Sequence, residues 1–250
     1  MTRALICFVL ISLLILGGCS RKDTGAETSQ IIESTQHMTV TESSGTTDGQ
    51  ADNTLSDTAQ EQDTITSEND TSDGNSEILV VYFSRVGEQY DVGVIDKGNT
   101  AIVAEMIAHQ TGGDMFEILP QEDYYPYTYD ELTDIAKKEL RDNARPAYAG
   151  EVPDLSRYST IFIGAPVWWG DWPMICYTFF EENADDLAGK TLVPFSTHAG
   201  SGLSGFDKKL AKACPDSVVG TGLAIKGADA QNDKVSVKQS VKDWISGLGY

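Results

Sequence analysis

Between residues 77 and 250, short apolar runs of strand length alternate with stretches whose apolar residues recur at helical spacing. This alternation constrains the fold more than any other feature of the chain. Ile78–Phe83 is a continuous apolar run, the pattern of a parallel strand buried on both faces. Ile102, Val103, Met106 and Ile107 then fall on one helical face. Met115–Leu119 reads as a second strand, and Leu132, Ile135, Ala136 and Leu140 as the next helical stripe. Thr160–Ile163 and Thr191–Phe195 are the third and fourth strands, each followed by a predicted helix, over Pro173–Glu181 and Ser204–Ala213. A short strand near Ser217–Thr221 precedes a last helical face of Val237, Val241, Trp244, Ile245 and Leu248. Strand alternating with helix five times predicts an α/β domain, a three-layer sandwich with helices on both faces of a five-stranded parallel sheet.

The rest of the chain lacks that pattern. Residues 20–76 contain 21 Ser or Thr, 12 Asp or Glu and two basic residues, with no Phe, Trp, Tyr or Pro. Such a stretch buries too little apolar surface to offset its ordering entropy, so a disordered, extended tether is expected. Residues 1–19 read as an export signal: Arg3, a short apolar run over Ala4–Leu16, then Leu16-Gly17-Gly18-Cys19. Small residues before a cysteine resemble the lipobox of bacterial lipoproteins. That resemblance makes Cys19 the lipidated N-terminus of an extracytoplasmic protein anchored in the cell membrane by its acyl chains. Ordinary secretion or an uncleaved anchor are the alternatives.

Charge narrows the function. With 38 acidic and 18 basic side chains the net charge is -20, which argues against a nucleic-acid partner. Four cysteines do not make a disulfide scaffold. Cys176 and Cys214 are expected near opposite ends of neighbouring helices, out of disulfide reach. No spaced His, Cys and Asp cluster suggests a metal.

Open parallel sheets bind ligands beyond the carboxyl ends of their strands. The first strand ends at Ser84, and after a polar insert Gly98-Asn99-Thr100-Ala101 opens a helix. Free N–H groups and the helix dipole there suit a phosphate, or the segment is simply a capped helix. The third strand leads to Pro166-Val167-Trp168-Trp169-Gly170-Asp171-Trp172-Pro173. Its tryptophans either stack on a planar ring or cover the sheet edge. The fourth leads to Thr197-His198-Ala199-Gly200-Ser201-Gly202, where small residues either leave room and N–H groups for a ligand or form a flexible connector.

Together these segments, with Ile78–Ser84 and Leu223-Ala224-Ile225, resemble the flavodoxin-like proteins, in a branch with an insert before the Gly-Asn-Thr helix start. The resemblance implies strand order 2-1-3-4-5 and non-covalent FMN. It implies that Ser84, Asn99 and Thr100 hold the phosphate, with Gly98 and Ala101 also in the cofactor site, that Pro166, Val167, Trp168, Trp169 and Gly170 flank the ring, and that Thr197, His198, Ser201 and Gly202 close the other side. The pattern departs from the usual short phosphate loop because Val86–Lys97 separates Ser84 from Gly98. The insert either loops over the cofactor or forms a partner surface.

The expected function is electron transfer at the membrane surface, with a redox protein or a small acceptor such as a quinone as partner. Carrier and reductase are both open. A non-redox lipoprotein that captures a flavin or another aromatic ligand is the alternative. A loop amide near Trp169 or Gly170 is expected at the flavin ring, and acidic surroundings are expected to lower its potential. Tyr124, Tyr125, Tyr127 and Tyr129 either overlie the flavin edge or pack their loop down.

Overall fold

The structure is a computed structural model and describes residues 76–122 and 124–250. The export signal, Cys19 and the tether lie outside the described residues. The elements run β1 (Ile78–Tyr82), β2 (Gly87–Gln89), β3 (Gly93–Ile95), α1 (Asn99–Thr111), β4 (Asp114–Glu117), β5 (Leu119–Pro120), α2 (Tyr129–Asp142), β6 (Tyr148–Ala149) and β7 (Thr160–Pro166). They continue with α3 (Met174–Glu182), α4 (Ala184–Leu187), β8 (Thr191–His198), α5 (Phe206–Ala213), β9 (Val218–Val219), β10 (Leu223–Lys226), α6 (Gly227–Asn232) and α7 (Lys234–Leu248).

The main sheet is parallel, in the order β4-β1-β7-β8-β10. In chain order these are strands two, one, three, four and five, as the resemblance implies. The period-2 alternation of β1 divides the core. Leu79, Val81 and Phe83 face one cluster with Leu132, Phe179 and Leu210, from α2, α3 and α5. Val80 and Tyr82 face the other, with Val103 and Ile107 of α1 and Val241 and Ile245 of α7.

Three features differ from the sequence reading. The fifth strand is split, so the sheet holds six strands in five positions: β9 pairs with Thr191–Leu192, and β10 with Phe195–His198. Pro194 explains the break. The Leu192 carbonyl faces this edge, accepting from Gly220 N–H at 2.8 Å, so the period of two turns Pro194 to the same side. Proline has no N–H to continue the ladder. Second, β7 and β8 run on through Pro166 and His198, so residues read as loop are strand ends. Third, Leu119 leaves the main sheet and pairs antiparallel with Ala149.

Candidate functional site

The carboxyl ends of β7, β8 and β10 and the start of α1 open onto one cavity of about 490 Å³. The chain leaves β1, forms the β2–β3 hairpin and returns at Gly98. A Cβ on Gly98 would lie 2.1 Å from Ser84 Oγ and 2.7 Å from the Arg85 carbonyl, so only glycine lets the two passes meet. Ser84 Oγ accepts from the Ala101 N–H at 3.0 Å, leaving its own proton to donate. The N–H groups of Asn99 and Thr100 carry no hydrogen bond among the described residues. Asn99 lines the cavity, with its side-chain carbonyl accepting from Gln231 of α6 at 2.8 Å. Thr100 is buried, and its hydroxyl pairs with that of Thr197 at 2.7 Å, which locks α1 to β8. Ser84, Gly98, Thr100 and Ala101 therefore shape the cavity's end from behind its lining.

After β7, Trp168 and Asp171 exchange both backbone hydrogen bonds at 2.9 Å. Between them Trp169 has φ 52° and Gly170 φ 74°, the mirror-image turn of tight hairpins. Glycine adopts this freely, whereas a tryptophan in the left-handed region is uncommon and costs energy. Its side chain has compensating partners: Trp169 Nε1 donates to the Thr133 carbonyl at 2.9 Å, and Lys137 Nζ lies 5.0 Å from the ring centre. The ring is still 52% exposed, at the cavity rim. Asp171 anchors the turn by accepting from Trp172 N–H and Tyr177 hydroxyl and pairing with Lys209 at 3.2 Å. The three tryptophans thus separate. Trp168 forms cavity wall, with its ring edge-on to Phe83 and Tyr125; Trp169 forms rim; Trp172 stacks on Phe206 in the core, centroids 3.7 Å apart. Pro166 and Val167 also line the cavity, and Gly170 stands behind it.

After β8, His198 Nδ1 accepts from the Gly200 N–H at 2.9 Å, which places the proton of the neutral ring on Nε2. Burial first, and then the charge of Lys226, hold the imidazole below its ordinary pKa, so Nε2–H stays a donor at neutral pH. Thr197, His198, Ala199 and Gly200 line the cavity. Ser201 and Gly202 do not: Ser201 is exposed, and the Gly202 carbonyl accepts from Ser196 Oγ.

Other lining residues escaped the sequence reading. The insert contributes Gln89, Tyr90 and Asp91, and α2 contributes Leu132, Thr133 and Ala136 beside Tyr129, which the sequence had already offered for the flavin edge. Tyr90 packs on Tyr129, ring centres 5.7 Å apart. Leu132 and Ala136 carried a signal as part of the α2 apolar stripe, which serves core and cavity together. Lys226 ends β10 and Gly227 and Ala228 open α6, and placing the fifth strand too early hid them. Arg85 is bound elsewhere: it donates to the carbonyls of Glu88, Pro126 and Thr128 and ties the hairpin to the loop before α2. Of the tyrosines, Tyr125 is buried, Tyr124 and Tyr127 are exposed, and Tyr129 reaches the cavity.

Among the described residues there is no group of three or more His, Cys, Asp or Glu able to hold a metal. No helix among them is long and apolar enough to cross a membrane. Cys176 and Cys214 are both free and buried.

The sequence profile of the flavodoxin family matches residues 77–247. This chain belongs to the flavodoxin family. A protein of Bacteroides eggerthii assigned as a flavoprotein is 30% identical, with a TM-score of 0.54, over 70% of this chain and 99% of its own. A second, from Bacteroides uniformis, is 30% identical with a TM-score of 0.52, over 68% of this chain and 97% of its own. A flavoprotein of Lactobacillus acidophilus, solved in complex with FMN, is 22% identical with a TM-score of 0.49, over 64% of this chain and 99% of its own. No curated protein matches the chain. Within the flavodoxin fold, the cavity at the strand ends has the position expected of a cofactor site.

Proposed function

We propose that this flavodoxin-family domain binds FMN in the strand-end cavity and transfers electrons, held on the extracytoplasmic face of a membrane by a lipid on Cys19. One observation carries the reading: the start of α1, the Pro166–Trp169 segment and the Thr197–Gly200 segment, far apart in sequence, line a single cavity.

The residues fit the group. Toward the phosphate, the unbonded N–H groups of Asn99 and Thr100 sit at the positive end of the α1 dipole, with the Ser84 hydroxyl beside them. Lys226 lines the same cavity and brings a cation to it in an acidic protein. Toward the flat ring, Trp168, Trp169, Tyr90 and Tyr129 supply aromatic surface, and the Ala199–Gly200 backbone and His198 Nε2–H supply narrow walls and a donor. Bound FMN supplies the redox chemistry; the protein sets its orientation, polarity and access. Trp169, half exposed at the rim, stands where an approaching electron partner meets the site. A redox protein or a small acceptor completes the reaction.

The test is anaerobic reduction of FMN-reconstituted protein. A yellow protein that bleaches with reductant and regains colour on passing electrons to an added acceptor supports the reading. A yellow protein that exchanges no electrons supports simple ligand capture. For the anchor, fatty-acid labelling of cells is expected to mark wild type and not the Cys19→Ala variant.

A further inference from the structure

One carboxyl group stands apart from this machinery. Glu139 of α2 is buried, with 3% of its surface exposed. Its Oε2 accepts from the Tyr125 hydroxyl at 3.3 Å, while Oε1 has no hydrogen-bond partner among the described residues. A buried carboxylate in this condition is costly, and the neutral acid is not. The cavity lies close by: Ala136, one turn earlier on the same helix, lines it. Tyr125 continues the connection, because its ring packs edge-on against Trp168, centroids 5.1 Å apart, and Trp168 is cavity wall.

Building on the FMN reading, we propose that Glu139 is a proton-exchanging residue coupled to the cofactor cavity through Tyr125 and Trp168. It does not line the cavity; it acts through these two rings. Its surroundings match the role. Burial pushes the Glu139 carboxyl up to about 7, while Tyr124, Tyr125 and then Lys138 pull the other way. The titratable groups that face it are Tyr124 and Tyr125 from the preceding loop, Lys138 on α2, and Cys176 of α3 behind Tyr125. Tyr125 is itself pushed up, by burial and then by Glu139, and Cys176 by burial, so both stay neutral while Glu139 titrates. Tyr124 is exposed and beside the carboxyl, which gives protons a route from solvent.

The step balances simply. When a reductant delivers one electron to the cavity, its negative charge favours the acid form of Glu139, and the carboxylate takes one proton from solvent at its oxygen. When the acceptor removes the electron, that proton returns to solvent. Phe83 packs edge-on against Tyr125, ring centres 5.6 Å apart, within the buried cluster that also holds Leu132, so the field between the two sites is weakly screened.

Two measurements test this. In FMN-free protein, Trp168 emission, isolated as the difference between wild type and Trp168→Phe, should titrate with a midpoint near that of Glu139 and become flat in Glu139→Gln. In FMN-loaded protein, the midpoint potential should steepen with pH across the same range, and Glu139→Gln should lose that inflection. Identical titrations in wild type and Glu139→Gln, in either measurement, overturn the proposal. Failure to take up FMN overturns the cofactor reading and the coupling to it, while the FMN-free titration still reports separately on Glu139 and Trp168. If Glu139→Gln does not fold, carbon-13 detection of the wild-type carboxyl decides: a midpoint in the ordinary glutamate range overturns the proposal.

Discussion

The hydroxyls of Thr100 and Thr197, 97 positions apart in sequence, lie 2.7 Å from each other in the buried seam between α1 and β8. This bond joins the α1 end of the cavity to β8, the strand that leads into the His198–Gly200 wall. Replacing one threonine by valine keeps the shape and strands the other hydroxyl. Thr100→Val or Thr197→Val should each cost about 1–3 kcal/mol, and the double variant should recover most of that loss. Urea unfolding of the four proteins in a double-mutant cycle measures it.

Gly98 is a second constraint on the same end. Gly98→Ala places a Cβ against Ser84 Oγ and the Arg85 backbone, atoms that give way only if the loop moves. The expected cost is about 1–3 kcal/mol, with loss of the Ser84–Ala101 bond. Stability should fall in urea melts, and FMN affinity should fall with it.

The fold was legible because its signals are local and repeated. The apolar run Ile78–Phe83 and the stripe at Val237, Val241 and Ile245 each state their own period, and both are buried where that period places them. Cavity-lining residues on strand ends, such as Pro166 and His198, were legible because topology decides where strand ends meet. Tyr90 and Lys226 were not. Tyr90 reaches the cavity only because Arg85 and Glu88 fold the insert back onto the loop before α2, a relation between segments about 40 residues apart with no local pattern. Ser201 and Gly202 show the converse: small residues close in sequence to His198 turn away once the chain bends.

Trp169 separates binding from folding. Trp169→Asn suits the left-handed turn better than tryptophan and removes the exposed ring. Thermal stability should change little, since the gain in backbone fit offsets the lost bond to Thr133. FMN affinity should fall roughly tenfold or more from lost aromatic contact. Unchanged affinity, read by fluorescence titration, removes Trp169 from the site.

Glu139 also predicts a pH dependence of stability in the FMN-free protein. Its folded pKa of about 7 lies above the ordinary 4.5, so the native state binds the proton more tightly. The resulting stabilisation is full below the ordinary value and is lost as pH rises through the folded one. Wild type should therefore weaken between pH 5 and 8, relative to Glu139→Gln, by about 1–2 kcal/mol after allowance for solvent screening. Urea midpoints of both proteins across that range give the difference directly.

The most direct measurement is anaerobic titration of the purified, cofactor-free domain with FMN, followed by tryptophan emission. Saturable quenching at one FMN per chain, weakened in Trp169→Asn and in Gly98→Ala, is the predicted result. A protein that stays folded and colourless with unquenched emission as FMN is added would contradict it.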